Sequence, residues 1–352
     1  MRTGKTSARG KVSRWALFLP FIGLAVLVVV WVFVWNQARD AARAGLGEWR
    51  VAEAAEGRTY TCASERFAGF PFRMEWICED FTALVRDGSE EAELRLARVV
   101  AVAQAYNLGH VIVEFDAPGL VTVSGVSDTL GSNWSLGHAS LRFDGRAIDR
   151  MSLHFEEFST APTSGGGVVP TGSDPLFAAD DFIVHSRRAP DAPPGGRNYD
   201  VTGKVEGLRF DEGDAPLSGV FDMGLFALPR NGSNLAAFLR DWQTRNGRLD
   251  LSRMEIRGGG EALNAKGDLA LTPSGHLQGN VALGVSMADG QPAGALARVP
   301  ALATLAAMIA LFGKDGEAVD GIRMRTVDIA FDAGEVGVGP VTLGAIPPLF
   351  KP

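Results

Sequence analysis

Leu263-Asn264-Ala265-Lys266-Gly267-Asp268-Leu269-Ala270-Leu271, then Thr272-Pro273-Ser274-Gly275-His276, then Leu277-Gln278-Gly279-Asn280-Val281-Ala282-Leu283-Gly284-Val285-Ser286, is the stretch on which the fold class turns. Leu263, Ala265, Leu269 and Leu271 fall on one side of an extended chain, and Asn264, Lys266 and Asp268 on the other. That period of two belongs to a strand, not to a helix. Thr272-Pro273-Ser274-Gly275 supplies residues that favour a turn. On the return, Leu277, Val281, Leu283 and Val285 alternate with Gln278, Asn280 and Ser286. The stretch therefore predicts an antiparallel hairpin with one apolar face and one wet face.

The same alternation recurs at Val111-Val113-Phe115, Ala139-Leu141-Phe143, Met151-Leu153-Phe155 and Val327-Ile329-Phe331. The last is expected to pair with Val336 and Val338 across Ala333-Gly334. The 43 glycines suit a chain with many turns and close backbone approaches. The predicted fold is mainly β, with antiparallel one-face-apolar strands in elongated or curved sheets, two or three short helices, and one N-terminal transmembrane helix. The body divides into a first β-rich part (36–160), Gly/Pro-rich loops (161–198) and a second β-rich part (199–352). Two helices are expected in the second part. Leu235 to Thr244 follows Asn234, a candidate N-cap, and places Leu235, Phe238, Leu239 and Trp242 on one stripe. Ala301 to Phe312 is almost wholly apolar but too short to span a bilayer. It reads as a core helix over a sheet, with a mobile cap over a groove as the alternative.

Trp15 to Trp35 holds 21 residues without a charge. A helix of that length spans roughly 30 Å, the thickness of a bilayer core. Arg2, Lys5, Arg9, Lys11 and Arg14 precede it with no acid among them, so positive charge flanks the N-terminal side. The expectation is an anchor in a bacterial inner membrane, with the basic tail (1–14) in the cytoplasm and the body in the periplasm. A cleaved signal peptide is the rival, with Ala42-Arg43-Ala44 as its site. The long apolar run and the charges before that site favour the anchor. Those five basic residues, in a chain of net formal charge -7, leave -12 on the remainder. An acidic body excludes nucleic acid as the expected partner, because neutralising phosphate takes clustered Lys and Arg.

Cys62 and Cys78 are the only cysteines. In an oxidising space such a pair is expected to form a disulfide, with two buried free thiols as the alternative. Their spacing fits neither a thioredoxin-like motif nor a zinc site. Phe72, Met74, Trp76 and Cys78 would share one strand face. Before that strand lies Gly69-Phe70-Pro71-Phe72-Arg73, where Pro71 sets its own φ and pushes Phe70 extended.

An N-terminal apolar helix followed by Trp49, Gly57 and Gly69-Phe70-Pro71-Phe72-Arg73 resembles the bacterial domain-of-unknown-function 2125 family. Phe331-Asp332-Ala333-Gly334 and Gly339-Pro340-Val341-Thr342-Leu343-Gly344, running to Pro347-Pro348, carry the resemblance at the other end. It implies an envelope location and a β-rich body, and brings no activity and no catalytic residues. The cysteine pair lies outside this pattern. The hairpin rhythm, with Gly267-x-Leu269-x-Leu271 and Gly275-x-Leu277-x-Gly279, is more loosely similar to that of AsmA-like envelope proteins. That analogy implies lipid transport at the level of fold alone.

No catalytic constellation is legible, and neither a cofactor nor a metal is expected. The histidines His110, His138, His154, His185 and His276 form no HxxxH or HExxH spacing. His154 and Glu156 share a strand face and could share a proton or a metal; a solvated strand face is the plainer reading. Asp180-Asp181 precedes an expected strand and could bind Ca²⁺, but its neighbours supply no loop of spaced oxygen ligands. The expectation is a non-enzymatic structural or assembly module that binds another envelope component. The alternative is binding or transfer of lipid or another apolar ligand on the face formed by Leu263, Leu269, Leu271, Leu277, Val281 and Leu283. An enzyme is the third reading.

Overall fold

The computed structural model describes residues 14–87, 90–125, 129–145, 147–163, 175–190, 197–210, 215–229, 234–286, 309, 311–316, 318 and 321–350. One long helix, α1 (Arg14–Ala55), leads into the body. Its residues 18–34 are exposed along their whole length, and their composition and extent would allow the helix to cross a membrane. The helix does not stop at the end of the apolar run. Its 42 residues reach about 63 Å, so a polar half continues from Asn36 onto the sheet.

The body is one antiparallel ladder, laid down almost in chain order. Its first strands are β1 (Arg58–Thr61), β2 (Ser64–Ala68), β3 (Arg73–Asp87), β4 (Glu90–Gln104) and β5 (Asn107–Val123). There follow β6 (Thr129–Asn133), β7 (Leu136–Asp144), β8 (Ala147–Thr163), β9 (Phe177–Arg188) and β10 (Tyr199–Leu208). After β11 (Leu217–Phe226) and α2 (Leu235–Thr244) come β12 (Arg248–Gly258), β13 (Glu261–Leu271) and β14 (Leu277–Ser286). The described chain ends with β15 (Lys314–Asp315), β16 (Met324–Asp332), β17 (Glu335–Val338) and β18 (Val341–Ala345). β1 and β2 lie end to end along β3, and β6 and β7 lie end to end between β5 and β8. Every other neighbour in the ladder is a hairpin partner or next in line, through β13–β14, β14–β16 and β16–β17 to β18.

The hairpin that announced the fold is present as expected: Leu263 faces Val285, Ala265 faces Leu283, and Leu271 faces Leu277. Ile329 pairs with Val338 and Phe331 with Val336. The stretch 161–198, expected as loops, instead contains β9, which pairs with β8 on one side and β10 on the other. The ladder therefore runs unbroken between the two β-rich parts. The strand begins at Phe177, before Asp180-Asp181, because the two acids interrupt its apolar pattern without ending it. Residues 164–174 and 191–196 lie outside the described residues, as does most of the helix expected at 301–312. Of that helix Ile309 is fully buried and Leu311 is exposed.

α2 begins where expected, with the Asn234 side chain accepting from Ala237 N at 2.7 Å. Its Trp242 indole donates to Phe226 O at 2.8 Å. No residue of the helix is buried, and Leu235 is strongly exposed, so the apolar stripe only partly meets the sheet.

A seam of irregularities crosses the first half of the ladder. It passes through the break between β1 and β2, Asp80 at φ 49°, the register shift between Leu96 and Arg98, the break at Trp134, and Glu157 at φ 50°. Bulges of this kind bend a strand and sharpen its twist. Aligned across neighbours, they turn the whole sheet. Trp134 fills the seam from the apolar side, its indole donating to Phe115 O at 2.7 Å. Gly119 and Gly137 make room for it: a Cβ on Gly137 would lie 2.6 Å from the indole nitrogen.

The Cys62–Cys78 disulfide sits at the same seam, with Cα atoms 5.4 Å apart. It closes the break between β1 and β2 onto β3, and Cys78 lies at the centre of a small cluster with Leu96 and Val99.

Candidate functional site

The registers place one apolar face along the whole ladder. Trp76 on β3 opposes Ala101, Ala101 opposes Val113, Val113 opposes Ala139, and Ala139 opposes Leu153. Leu153 opposes Val184, Val184 opposes Gly203, Gly203 opposes Phe221, and Phe221 opposes Met254. Directly opposed residues point to the same side of a sheet. The face therefore continues to Ala265, Leu283, Val327 and the strands beyond.

This face is covered at its two ends and partly exposed between them. At the first end the polar half of α1 lies across it. Trp49 stacks on Tyr60 at 4.7 Å, and the guanidinium of Arg50 sits 5.8 Å from the Trp76 ring. Arg50 also pairs with Glu65 at 2.5 Å. Arg58 pairs with Glu53 and thereby ties the foot of the helix to β1. That hydrogen bond holds the Glu53 carboxyl below its ordinary range, against the opposing effect of burial. At the far end Leu263, Ala265, Leu283, Val285, Val327, Ile329 and Val338 are buried in a core that includes Ile309.

Between these ends, on β5 to β11, Phe115, Leu153, Phe155, Phe182, Phe221 and Met223 are only partly buried. Neither α1 nor α2 brings these side chains to the burial of the far core. Among the described residues they form a partly exposed apolar strip in the middle of the sheet. Aromatic rings line its seam side: Trp134 meets Phe155 edge-on at 5.2 Å and stacks on Phe158 at 6.2 Å. At the α1 end of the face, the Trp76 indole nitrogen is buried without an acceptor among the described residues.

The residues expected from sequence fall differently. Leu263, Leu271 and Leu283 are buried, and Val281 packs against the same core. Leu269 and Leu277 are partly exposed. All six do share one face, but the partly exposed strip lies several strands away. Alternation revealed the strands Val111-Val113-Phe115 and Met151-Leu153-Phe155. Nothing in the alternation distinguishes a covered apolar face from an open one.

Gly69-Phe70-Pro71-Phe72-Arg73 forms the turn into β3 and rests on α1. The Trp31 indole donates to Pro71 O at 3.0 Å, the Trp35 indole donates to Arg73 O at 3.3 Å, and the Trp35 and Phe70 rings meet edge-on at 5.5 Å. Gly69 has φ 97°, and a Cβ there would lie 2.7 Å from Arg73 O, so the turn requires glycine.

The opposite face is wet and charged. Arg187 and Asp200 pair across strands at 3.1 Å beside a polar trough of about 600 Å³ that Asp222 and Asp250 also line. His154 Nε2 donates to Asp181 Oδ1 at 2.6 Å, with Glu156 at 3.7 Å. Asp180 is held by Arg209 at 2.9 Å. These groups satisfy one another across strands, and among the described residues no set of three His, Cys, Asp or Glu side chains is arranged to hold a metal ion.

No curated protein and no solved structure matches the chain. The model of a family described as an uncharacterized protein conserved in bacteria (DUF2125) matches residues 35–347, from the end of the apolar run to the last turns, and the chain belongs to that family.

Proposed function

We propose that the protein is held in the bacterial inner membrane by α1, with its N-terminal tail in the cytoplasm and its β body in the periplasm, and that the body binds the acyl chains of an envelope lipid along the open apolar strip of β5 to β11. The observation that carries this reading is the partial exposure of Phe115, Leu153, Phe155, Phe182, Phe221 and Met223 on one continuous face, set against the full burial of Leu263, Val285 and Val327 on the same face. Apolar area left in water forgoes roughly 25 cal/mol per Å² of stabilisation. An extended hydrocarbon chain laid across the strands would recover it. The strip belongs to the same continuous sheet whose first strands carry α1, so the anchor holds it close to the bilayer. The reading needs neither catalysis nor a cofactor.

The test is photocrosslinking in cells with a lipid that carries a diazirine in its acyl chain, followed by peptide mapping of the full chain. Crosslinks to β8, β9 and β11 are expected, reduced by Phe182→Glu. Crosslinks confined to α1 would overturn the reading.

The second reading is a structural or assembly module bound to another envelope protein. It draws on the outer edge of β18, which pairs only with β17 among the described strands. An unpaired edge can accept a strand from a partner. Protein–protein crosslinking from Thr342 would favour it if a single partner were recovered and lipid crosslinks to β8–β11 were lacking.

A further inference from the structure

We infer that the turn at Phe70-Pro71-Phe72 and the neighbouring turn at Tyr106 form a second membrane contact, which dips into the interfacial layer of the bilayer beside α1. The inference rests on the anchoring part of the proposal above and adds to it a surface with a defined occupant, the boundary between lipid headgroups and acyl chains.

Four large side chains at this end of the sheet face outward: Phe70 is 50% exposed, Phe72 72%, Tyr106 78% and Leu108 54%. Single exposed apolar residues are ordinary on protein surfaces; a group of them on adjoining turns marks an interaction site. The turns are joined, because Ala105 N donates to Phe72 O at 2.8 Å. They form one tip rather than two separate loops.

The height of that tip is set by the helix. The hydrogen bond from Trp31 to Pro71 O engages a residue inside the apolar run, one turn before its end at Trp35. One turn of helix is about 5 Å. Pro71 is thus held at the level where the run meets the headgroups, and Phe72 lies beside it. Indole and phenol rings favour that layer, and interfacial segments bury their apolar side roughly 5–10 Å into it. The occupant follows from this position. The tip adjoins the exposed apolar surface of residues 18–34, and a solvent that suits that helix suits Phe70 and Phe72 as well. A water-soluble partner protein would have to enter the lipid layer to reach it.

The consequence is mechanical. With α1 alone, the body could pivot about the foot of one helix. With α1 and the tip both engaged, the sheet meets the bilayer at a defined angle, and the β3–β5 end of the apolar face points down toward the lipid.

The test uses the full chain reconstituted in vesicles of phosphatidylethanolamine and phosphatidylglycerol, with an environment-sensitive NBD fluorophore on a single introduced cysteine. The native cysteines are bridged and would not react. The labelled sites are Tyr106→Cys in the tip, Val26→Cys in the helix, and Ser124→Cys at the far end of β5 as the solvent reference. Quenching by nitroxide on lipid acyl chains is the readout. The label at Tyr106 is expected to be quenched about twofold or more relative to that at Ser124, and Phe70→Ser with Phe72→Ser should lessen it. Quenching at Val26 with none at Tyr106 would overturn the second contact and leave the anchor standing. Quenching at neither site would overturn both.

Discussion

Gly137 shows how a single residue can decide the shape of a sheet. Trp134 occupies the space that its side chain would need, and the seam turns there. Gly137→Ala is expected to destabilise the fold by roughly 2 kcal/mol in denaturant unfolding, the usual cost of overpacking a filled site. Cys78→Ser should abolish the mobility difference between reduced and oxidised chains, and cost about 3 kcal/mol by the chain-entropy estimate for a loop of this size. Glu53 predicts a pH dependence. Its folded-state pKa lies below the ordinary 4.5 because Arg58 hydrogen-bonds to the carboxylate. The resulting stabilisation is complete above the unfolded value and is lost as pH falls through the lower folded value. Protection factors for amide exchange at Val51 to Tyr60, corrected for the intrinsic rate at each pH, should therefore fall below about pH 4.5, and Glu53→Gln should flatten that response.

Individual elements separate a packed half of the apolar face from an open half. Leu283 and Phe182 lie on the same face, but Leu283 is buried beneath a core that includes Ile309, whereas Phe182 is partly exposed. Leu283→Ala should cost about 3 kcal/mol. Phe182→Ala should cost clearly less despite removing a larger side chain, because Phe182 is only partly buried and its loss leaves a smaller enclosed cavity. Equal losses in urea melts would mean that the strip is covered. The helices divide in the same way. α1 is longer than its apolar run because Trp49, Arg50 and Glu53 give its polar half partners on β1 to β3. α2 satisfies its cap and its indole and buries little else.

At the scale of the whole molecule, the long apolar helix and the sheet form one continuous object, since the turn into β3 is hydrogen-bonded to Trp31 and Trp35. A reporter active only outside the cytoplasm, fused after Pro352, should be active. A well-expressed but silent fusion would overturn the orientation. Much of this architecture was legible. Alternation at Leu263–Ser286 and Val327–Val338 identified the hairpins and even their pairing, and the Cys62–Cys78 bridge was expected from strand faces and an assumed oxidising compartment. Of the strand at Phe177–Arg188 only the part after Asp181 was legible, because charged residues break the apolar pattern before it. The seam was not legible, because it arises from register shifts that come into line only when the strands are side by side.

What the sequence determined by itself is local. A period of two makes strands with one apolar face, and 21 uncharged residues make a helix long enough for a bilayer. Both are read from neighbours along the chain. Which part of the apolar face is covered was decided only by the tertiary structure. Ile309 packs in the core with Leu263 and Val285, and Arg50 lies over Trp76, whereas neither helix buries Phe182 or Phe221. Alternation assigns a side chain to a face. Whether that face meets protein or remains partly exposed depends on segments distant in sequence, brought to it by the fold.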